Sequence, residues 1–331
     1  MLSTNLIQKI VTAMGIKKGD MVLLQFWGEN KDRDTLNAFS YEVAKVDATP
    51  IEFQHSREYY KNLFESFTDD YSIPEEYFNI FKDSNVIIDL FTYKPVIPHK
   101  DFPSEKLYLY KEFMAKLFSI LSSKEKFIQL RLPTLENSME SNLDYETFKN
   151  SLFNAYDIDY EALNNDCDEI IKSLSDKNSI VIETNKNHRL SLDISKRSWF
   201  KDCGDGDMPC GEVFIAPIEE SSNGSIYIEK FYFEDKTIND LTLNFENGVL
   251  TSTSSDTLNS FLETLPPKGN ILCEFGIGLN KNVKDIVGYT ILDEKAYGTY
   301  HIAIGMNSMF GGKNESPFHM DFVFKGNVTY I

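Results

Sequence analysis

The sequence predicts two unlike domains, an α/β N-terminal domain with a mostly parallel sheet and flanking helices, and a β-rich α+β C-terminal domain. Before residue 178, apolar runs of strand length alternate with amphipathic helical patterns. After it, apolar residues recur at every second position and Asn-Gly pairs typical of hairpin turns appear. We therefore predict domains at residues 1–177 and 178–331, with a polar helical connector at about 137–177.

The elements of the first half follow from their apolar patterns. Four short apolar runs predict buried strands: Met21–Trp27, Pro50–Phe53, Val86–Phe91 and Phe127–Leu132. Helical spacing predicts one helix at Thr35–Ala48 and another that Ser104 caps and that extends to Leu121. No GxGxxG or GxxxxGK[ST] motif follows any of these strands, so neither a dinucleotide site nor a P-loop is predicted.

The second half reads as antiparallel strands. Alternating apolar residues predict strands around Leu190–Ile194, Ile226–Ile228 and Leu241–Phe245. Asn223-Gly224 and Asn247-Gly248 predict two-residue hairpin turns, because both positions tolerate a positive φ. One helix, Asp256–Leu265, is predicted between the strands.

The charge of the chain excludes two classes of partner. The sequence has 33 basic and 51 acidic residues, a formal net charge of −18, and no concentrated basic patch. Neither nucleic acid nor an anionic membrane surface is therefore an expected partner. A signal peptide and an apolar run of 18 residues are both missing, and the four cysteines form no CxxC pair, which predicts a cytoplasmic protein with reduced thiols.

The candidate functional residues are ionisable side chains that interrupt apolar runs of the second half. Burying an unpaired charge costs several kcal/mol, so such residues need a reason to be there. Residues i and i+2 of a strand point to one face about 7 Å apart, so the H-x-D pair near the C-terminus presents an imidazole beside a carboxylate. The five candidates are Glu212 in GEVFIAP, Glu274 in ILCEFGIG, His301 in GTYHIAIG, and His319 and Asp321 in PFHMDFVF.

Each candidate taken alone has a plain structural explanation. A buried glutamate is usually paired with lysine or arginine, and a lone histidine in an apolar strand is usually a satisfied core residue. Together they favour a metal centre more strongly, because no obvious set of basic partners accompanies them. From the residues alone both interpretations stay open. The other histidines, His55, His99 and His188, lie in polar surroundings and are predicted to be exposed.

Four ordered blocks around these residues resemble the aminopeptidase T type of dinuclear metallopeptidase, which includes aminopeptidase S. The blocks are DMPCGEVFIAP, EFGIGLN, DEKAYGTYHIAIG and GGKNESPFHMDFV, and SLDISKRSW upstream fits too. The stretch IQKIVTAMGIKKGDMVLLQF resembles the family's opening helix and strand more loosely. The strong resemblance covers roughly residues 190–325.

The resemblance implies a catalytic C-terminal domain in a homodimer, acting on peptides with a free N-terminus. It implies that Glu212, Glu274, His301, His319 and Asp321 hold two divalent ions, for which zinc, cobalt and manganese suit these donors. The implied activity is a metalloaminopeptidase that releases single N-terminal amino acids through a metal-bridged hydroxide. A glutamate would serve as general base, with Glu274 favoured and Glu212 the alternative.

Two departures from the family pattern keep other functions open. Ser308 stands where the family has a tyrosine, and the stretch between His301 and His319 is shorter than usual. One alternative is a mononuclear non-haem iron dioxygenase of the same fold that cleaves a ring, since two histidines and one carboxylate satisfy that iron pattern. A second alternative is a degenerate homologue that binds metal but is inactive.

Overall fold

The computed structural model describes residues 2–121, 123–124, 126–234 and 236–331. The chain forms two compact units, one of Met1–Asp157 with Gly204–Pro209, the other of Ile158–Cys203 with Cys210–Ile331. The helix at Tyr160–Leu174, which the sequence pattern predicts as part of the connector, thus belongs to the second unit. Its Cys167 thiol lies 3.2 Å from the Cys203 sulfur of the same unit.

Within the described residues the chain has ten α-helices and sixteen strands. The helices are α1 Thr4–Ala13, α2 Arg33–Lys45, α3 Arg57–Ser66, α4 Asn79–Lys82, α5 Leu107–Leu121, α6 Leu135–Glu140, α7 Tyr145–Tyr156, α8 Tyr160–Leu174, α9 Asp256–Leu262 and α10 Thr290–Asp293. The strands are β1 Met21–Trp27, β2 Thr49–Gln54, β3 Val86–Phe91, β4 Lys126–Arg131, β5 Ser179–Thr184, β6 His188–Asp193, β7 Trp199–Asp202, β8 Asp207–Met208, β9 Glu212–Ile215, β10 Asn223–Phe233, β11 Lys236–Glu246, β12 Val249–Thr253, β13 Leu272–Gly278, β14 Tyr300–Gly305, β15 His319–Phe324 and β16 Asn327–Tyr330.

The first unit is built on the predicted parallel sheet. Its strand order is β2-β1-β3-β4-β8, and every neighbouring pair is parallel. All six residues of β3 are buried, as expected for a central strand with helices on both faces. The four strands predicted from apolar runs are present as β1 to β4, so the predicted α/β class of this region is confirmed.

The second unit contains two antiparallel sheets. One has the order β12-β11-β10-β6-β5-β16 and the other the order β15-β14-β13-β9-β7. A core of apolar side chains includes Phe275, Ile302 and Phe322 of the second sheet and Ile226 and Leu243 of the first. This confirms the β-rich prediction, and it leaves the other face of the β15-β14-β13-β9-β7 sheet for polar side chains.

Asn247-Gly248 forms the predicted two-residue turn, between β11 and β12, with φ of 49° and 82°. The turn predicted at Asn223-Gly224 is wrong. These residues begin β10 and pair with Ser191 and Leu190 of β6, where a Cβ on Gly224 would lie 2.1 Å from the Arg189 carbonyl oxygen. The glycine therefore serves a close backbone approach between strands rather than a turn.

Two further local predictions are wrong. Ser104 does not cap α5, because it lies in a short 3₁₀ turn, Ser104–Lys106, that precedes the helix. His55 is only 1% exposed instead of lying at the surface. Its ring stacks on Trp27 at 3.9 Å, and both ring nitrogens are hydrogen-bonded, to the Gln25 amide oxygen and the Tyr60 hydroxyl. Satisfying both nitrogens removes most of the cost of burying the ring.

None of the described helices is both long enough and apolar enough to cross a membrane.

Candidate metal centre

The register of the β15-β14-β13-β9-β7 sheet brings all five candidate side chains to one face. Directly paired residues of antiparallel strands point to the same side. Each candidate has a small residue as a register partner on at least one side: Ala303 pairs with both Glu274 and Asp321, Gly305 with His319, Gly276 with His301, and Gly278 with Glu212. The other partners of Glu212 and His301 are Asp202 and Val323. The larger residues between them along the strands point to the apolar core. The five functional groups therefore have glycine or alanine beside them in the sheet, and the small size of these residues leaves room for the groups to approach one another.

Glu274 is the centre of this arrangement. Its Oε1 lies 3.3 Å from Nε2 of His301, and its Oε2 lies 3.4 Å from Nε2 of His319. Glu212 Oε2 approaches the first imidazole, 3.5 Å from His301 Nε2, and Asp321 Oδ1 approaches the second, 3.4 Å from His319 Nε2. The site thus has two halves, each with an imidazole and a second carboxylate, which share Glu274.

The donor atoms fit divalent metal ions. Glu274, His319 and Asp321 each offer one ligand atom, and these atoms lie within 4.8 Å of one another. Glu212 Oε2 is buried, and no group in the described part of the chain forms a hydrogen bond with it, which is costly for a carboxylate oxygen unless a cation satisfies it. His319 Nδ1 lies 3.1 Å from the Met306 carbonyl oxygen. If that nitrogen carries the proton, Nε2 keeps its lone pair for a metal, the usual orientation of ligating histidines.

Electrostatics couples the five groups. Burial raises the pKa of Glu212, against the opposing charges of Lys295 and His301. The pKa of His301 is raised to about 9, because Glu274, Glu212 and Asp321 outweigh the effect of its burial. His319 also has a pKa well above its ordinary value: burial lowers it, but Asp321 raises it more. The pKa of Asp321 is lowered, since the same imidazole outweighs burial. The face of the sheet that carries these five residues therefore favours the binding of cations.

Sequence reasoning missed a buried basic partner of the site. Lys295 is 2% exposed, and its Nζ contacts Glu212 Oε1, lies 2.8 Å from Glu294 Oε1 and 3.9 Å from Asp202 Oδ2. The feature of the sequence that could have indicated Lys295 was the charged triplet Asp293-Glu294-Lys295 in the third matching block. Spacing alone did not separate a loop ion pair from a role in the site, because the partner carboxylate is 83 residues away in sequence.

Ser308, for which the family resemblance predicts a tyrosine, lies in an exposed 3₁₀ turn, Ser308–Phe310. Its backbone N–H donates to the Asn314 carbonyl oxygen at 3.2 Å. The turn follows Met306, whose carbonyl oxygen is next to His319, so it begins close to the second half of the site.

Sequence comparison decides the family. The profile of the thermophilic metalloprotease family M29 matches residues 13–331, almost the whole chain. The chain belongs to this family. It is therefore a metallopeptidase, a hydrolase whose family uses divalent metal, and the resemblance inferred from the four sequence blocks is confirmed.

Solved structures agree on the fold. The chain is similar to AmpT from Thermus thermophilus, with a TM-score of 0.68 and 15% identity over 99% of this chain and 97% of that one. It is also similar to 2,5-dihydroxypyridine dioxygenase from Pseudomonas putida KT2440, with a TM-score of 0.61 and 13% identity over 99% and 94% of the two chains. Both likenesses show the fold alone. No curated protein sequence matches the chain.

Proposed function

We propose that this metallopeptidase is an aminopeptidase that binds two divalent ions and releases single N-terminal amino acids from peptides. The observation that carries the proposal is the position of Glu274, with one carboxylate oxygen towards each imidazole. A carboxylate in this position could hold a metal ion in either half of the site. Glu212 and His301 would complete the first half of the site, and His319 and Asp321 the second.

The chain's own groups would have three tasks in hydrolysis: they would hold two divalent ions, select a substrate with a free α-amine and transfer a proton. Divalent ions bound here would polarise the scissile carbonyl and lower the pKa of water. With two divalent ions bound, Glu212, Glu274 and Asp321 would leave the site positively charged, so the substrate would be held through the lone pair of its neutral α-amine, which distinguishes an N-terminal residue from an internal one. Glu274 is our choice for the group that accepts a proton from water and passes it to the leaving amine, because it lies between both halves; in that role it would use only one oxygen as a metal ligand. Glu212 is the alternative, although Lys295 contacts its Oε1.

A mononuclear iron dioxygenase is the competing function. His301, His319 and Asp321 supply its two-histidine, one-carboxylate pattern, and one structure of similar fold is a dioxygenase. Against it, Glu212 and Glu274 lie within 3.5 Å of the same imidazoles. A one-iron site has little use for two further buried carboxylates.

Metal counting combined with an activity assay tests the proposal. Metal-free protein is loaded with zinc or cobalt, the bound ions are counted, and a panel of aminoacyl p-nitroanilides is offered. We expect two ions per chain and hydrolysis that requires a free α-amine. Glu274→Gln should lower turnover at least about 100-fold. The exposed Glu220→Gln is the matched control and should behave as the parent does.

Other results of the same experiment would identify one of the alternative functions or the role of Glu274. One redox-active iron with ring cleavage would establish the dioxygenase, and two ions without hydrolysis of any substrate would establish an inactive homologue. In Glu274→Gln, loss of activity with both ions retained would assign proton transfer to Glu274, whereas loss of an ion would assign ligation.

The proposal extends to the assembly and location of the enzyme. We propose a homodimer in the cytoplasm, the latter supported by four buried cysteine thiols. Sedimentation of the purified protein tests the dimer, since a monomer at micromolar concentration would contradict it.

A further inference from the structure

The buried Lys295 has a defined relation to one oxygen of Glu212. Its Nζ contacts Oε1 of that carboxylate, while Oε2 lies 3.5 Å from His301 Nε2 and, among the described residues, has no hydrogen-bond partner. The two oxygens therefore have different surroundings, one beside an ammonium group and one facing an imidazole of the candidate metal centre. Oε2 therefore faces the candidate metal centre, whereas Oε1 faces the ammonium group.

The segment that carries Lys295 is fixed against the strand that pairs with Glu212. Gly278, the register partner of Glu212, lies under this segment, and a Cβ there would be 2.7 Å from the Glu294 carbonyl oxygen and 2.2 Å from that of Ala296. The Lys295 carbonyl oxygen accepts a hydrogen bond of 2.8 Å from the Asn280 N–H. These backbone contacts hold the lysine at a set distance from Glu212 without relying on its long side chain alone.

The lysine is also held by two other carboxylates. Glu294 Oε1 lies 2.8 Å and Asp202 Oδ2 lies 3.9 Å from its Nζ, and both residues are at least 90% buried. Asp202 pairs directly with Glu212 in the sheet, so it points to the same face. A buried ammonium group needs acidic partners, so the three acidic neighbours stabilise Lys295 in this position.

We propose that Lys295 is a positioning residue of the metal centre, which limits Glu212 to a single ligand oxygen directed at the half of the site that contains His301. The inference rests on the proposed metal ligands. Because the ammonium contacts Oε1, Glu212 is prevented from chelating one ion with both oxygens. The ion in this half keeps a coordination position for a further ligand, as catalytic metal sites require.

Cobalt titration of metal-free protein tests the inference without an activity assay. The main variant combines Glu294→Gln with Lys295→Met, which removes the ammonium group together with the carboxyl group whose pKa burial raises to about 8. Glu294→Gln alone is the matched control, since its amide oxygen still accepts a hydrogen bond from Lys295. The readouts are the number of Co²⁺ ions bound, their dissociation constants and the visible d–d spectrum.

We expect the parent and Glu294→Gln to bind two Co²⁺ ions with affinities that agree within about twofold. The double variant should bind one ion as the parent does and the other about 10–100-fold more weakly, the usual effect of losing a group that orients a metal ligand. Its d–d spectrum should change, because Glu212 gains the freedom to use both oxygens. A purely structural role would change the unfolding midpoint but neither the second dissociation constant nor the spectrum of folded protein.

Lys295→Arg covers the case in which the double variant fails to fold. Arginine keeps the charge that compensates the acidic cluster, yet its two parallel N–H groups match both oxygens of a carboxylate. We expect it to fold and to weaken one Co²⁺ ion about tenfold or more. Parental binding of both ions by the folded variants would overturn this inference alone. A parent chain that binds fewer than two ions would overturn the proposed function and this inference with it.

Discussion

The imidazole of His301 lies directly against Gly276, its register partner on β13. A Cβ at this glycine would lie 2.0 Å from Cε1 and 2.1 Å from Nε2 of the ring. Because His301 is 1% exposed, the ring has little space to move away. The glycine is thus part of what places Nε2 beside Glu274 and Glu212.

Gly276→Ala is therefore expected to disrupt the site. The added methyl group should displace the ring, weaken metal binding at the His301 half and destabilise the fold by about 1–3 kcal/mol, the typical effect of overpacking. Metal titration and urea unfolding measure the two effects. Gly276→Ala combined with His301→Ala should recover stability relative to Gly276→Ala but not metal binding. Equal stability of the two variants would contradict the proposed contact.

A tyrosine at position 308, which the family resemblance predicts there, should raise activity. A phenol can donate a hydrogen bond to a developing oxyanion, and such donors contribute roughly 3 kcal/mol, or about 100-fold in rate. Ser308→Tyr is therefore expected to raise kcat on an aminoacyl p-nitroanilide with a smaller change in KM. Ser308→Phe is the matched control because it lacks only the hydroxyl group. If the two variants are equally active, the phenol has no such role.

The segment that carries Ser308 is anchored by a largely buried ion pair. Arg197 Nη2 lies 2.6 Å from Glu219 Oε2, and the side chains are 7% and 15% exposed. Glu219 Oε1 accepts hydrogen bonds from Asn307 Nδ2 and the Lys313 N–H, at 3.2 and 2.6 Å. Removing one member of such a pair leaves a charge without compensation.

Arg197→Met should lower the free energy of unfolding by about 3–5 kcal/mol. The comparison is Lys201→Met, which breaks a more exposed pair with Asp168 and should cost less than about 1 kcal/mol. Urea unfolding at neutral pH measures both variants. Similar losses in the two would show that burial of the Arg197–Glu219 pair contributes nothing extra.

A buried carboxyl group in the parallel sheet should make stability depend on pH. Burial raises the pKa of Asp89 from 3.8 to about 7, and Gln25 Nε2 donates a hydrogen bond of 2.6 Å to its Oδ1. Between about pH 4 and pH 7 the folded chain keeps a proton that the unfolded chain releases. This contribution therefore makes stability fall as pH rises, by about 4 kcal/mol in all.

Asp89→Asn removes this titration, and its amide oxygen still accepts the hydrogen bond from Gln25. The free energy of unfolding of the variant minus that of the parent should rise by about 4 kcal/mol from pH 4 to pH 8. His55, whose pKa burial lowers to about 3, contributes a slope of opposite sign below pH 6.5, but it is present in both chains and cancels in the difference. Urea unfolding across this range measures the difference, and a flat difference would contradict the prediction.

Periodicity alone determined most of the fold. The parallel strands β1 to β4 and the turn at Asn247-Gly248 follow from local patterns, since a strand buried on both faces must be apolar throughout and a two-residue hairpin needs positive φ. Errors arose where a residue's role depended on a neighbour distant in sequence. Gly224 serves the approach of Arg189, and His55 is buried because Trp27 and Gln25 receive it.

The five candidate residues came from the sequence because ionisable groups in apolar strands are conspicuous whatever the fold. Their resemblance to a family gave the expected metals, and the family itself is confirmed. Only the tertiary structure decided that Glu274 faces both imidazoles and that Lys295 contacts Glu212. Such relations depend on strand register and on contacts across 83 residues of chain, which no local pattern encodes.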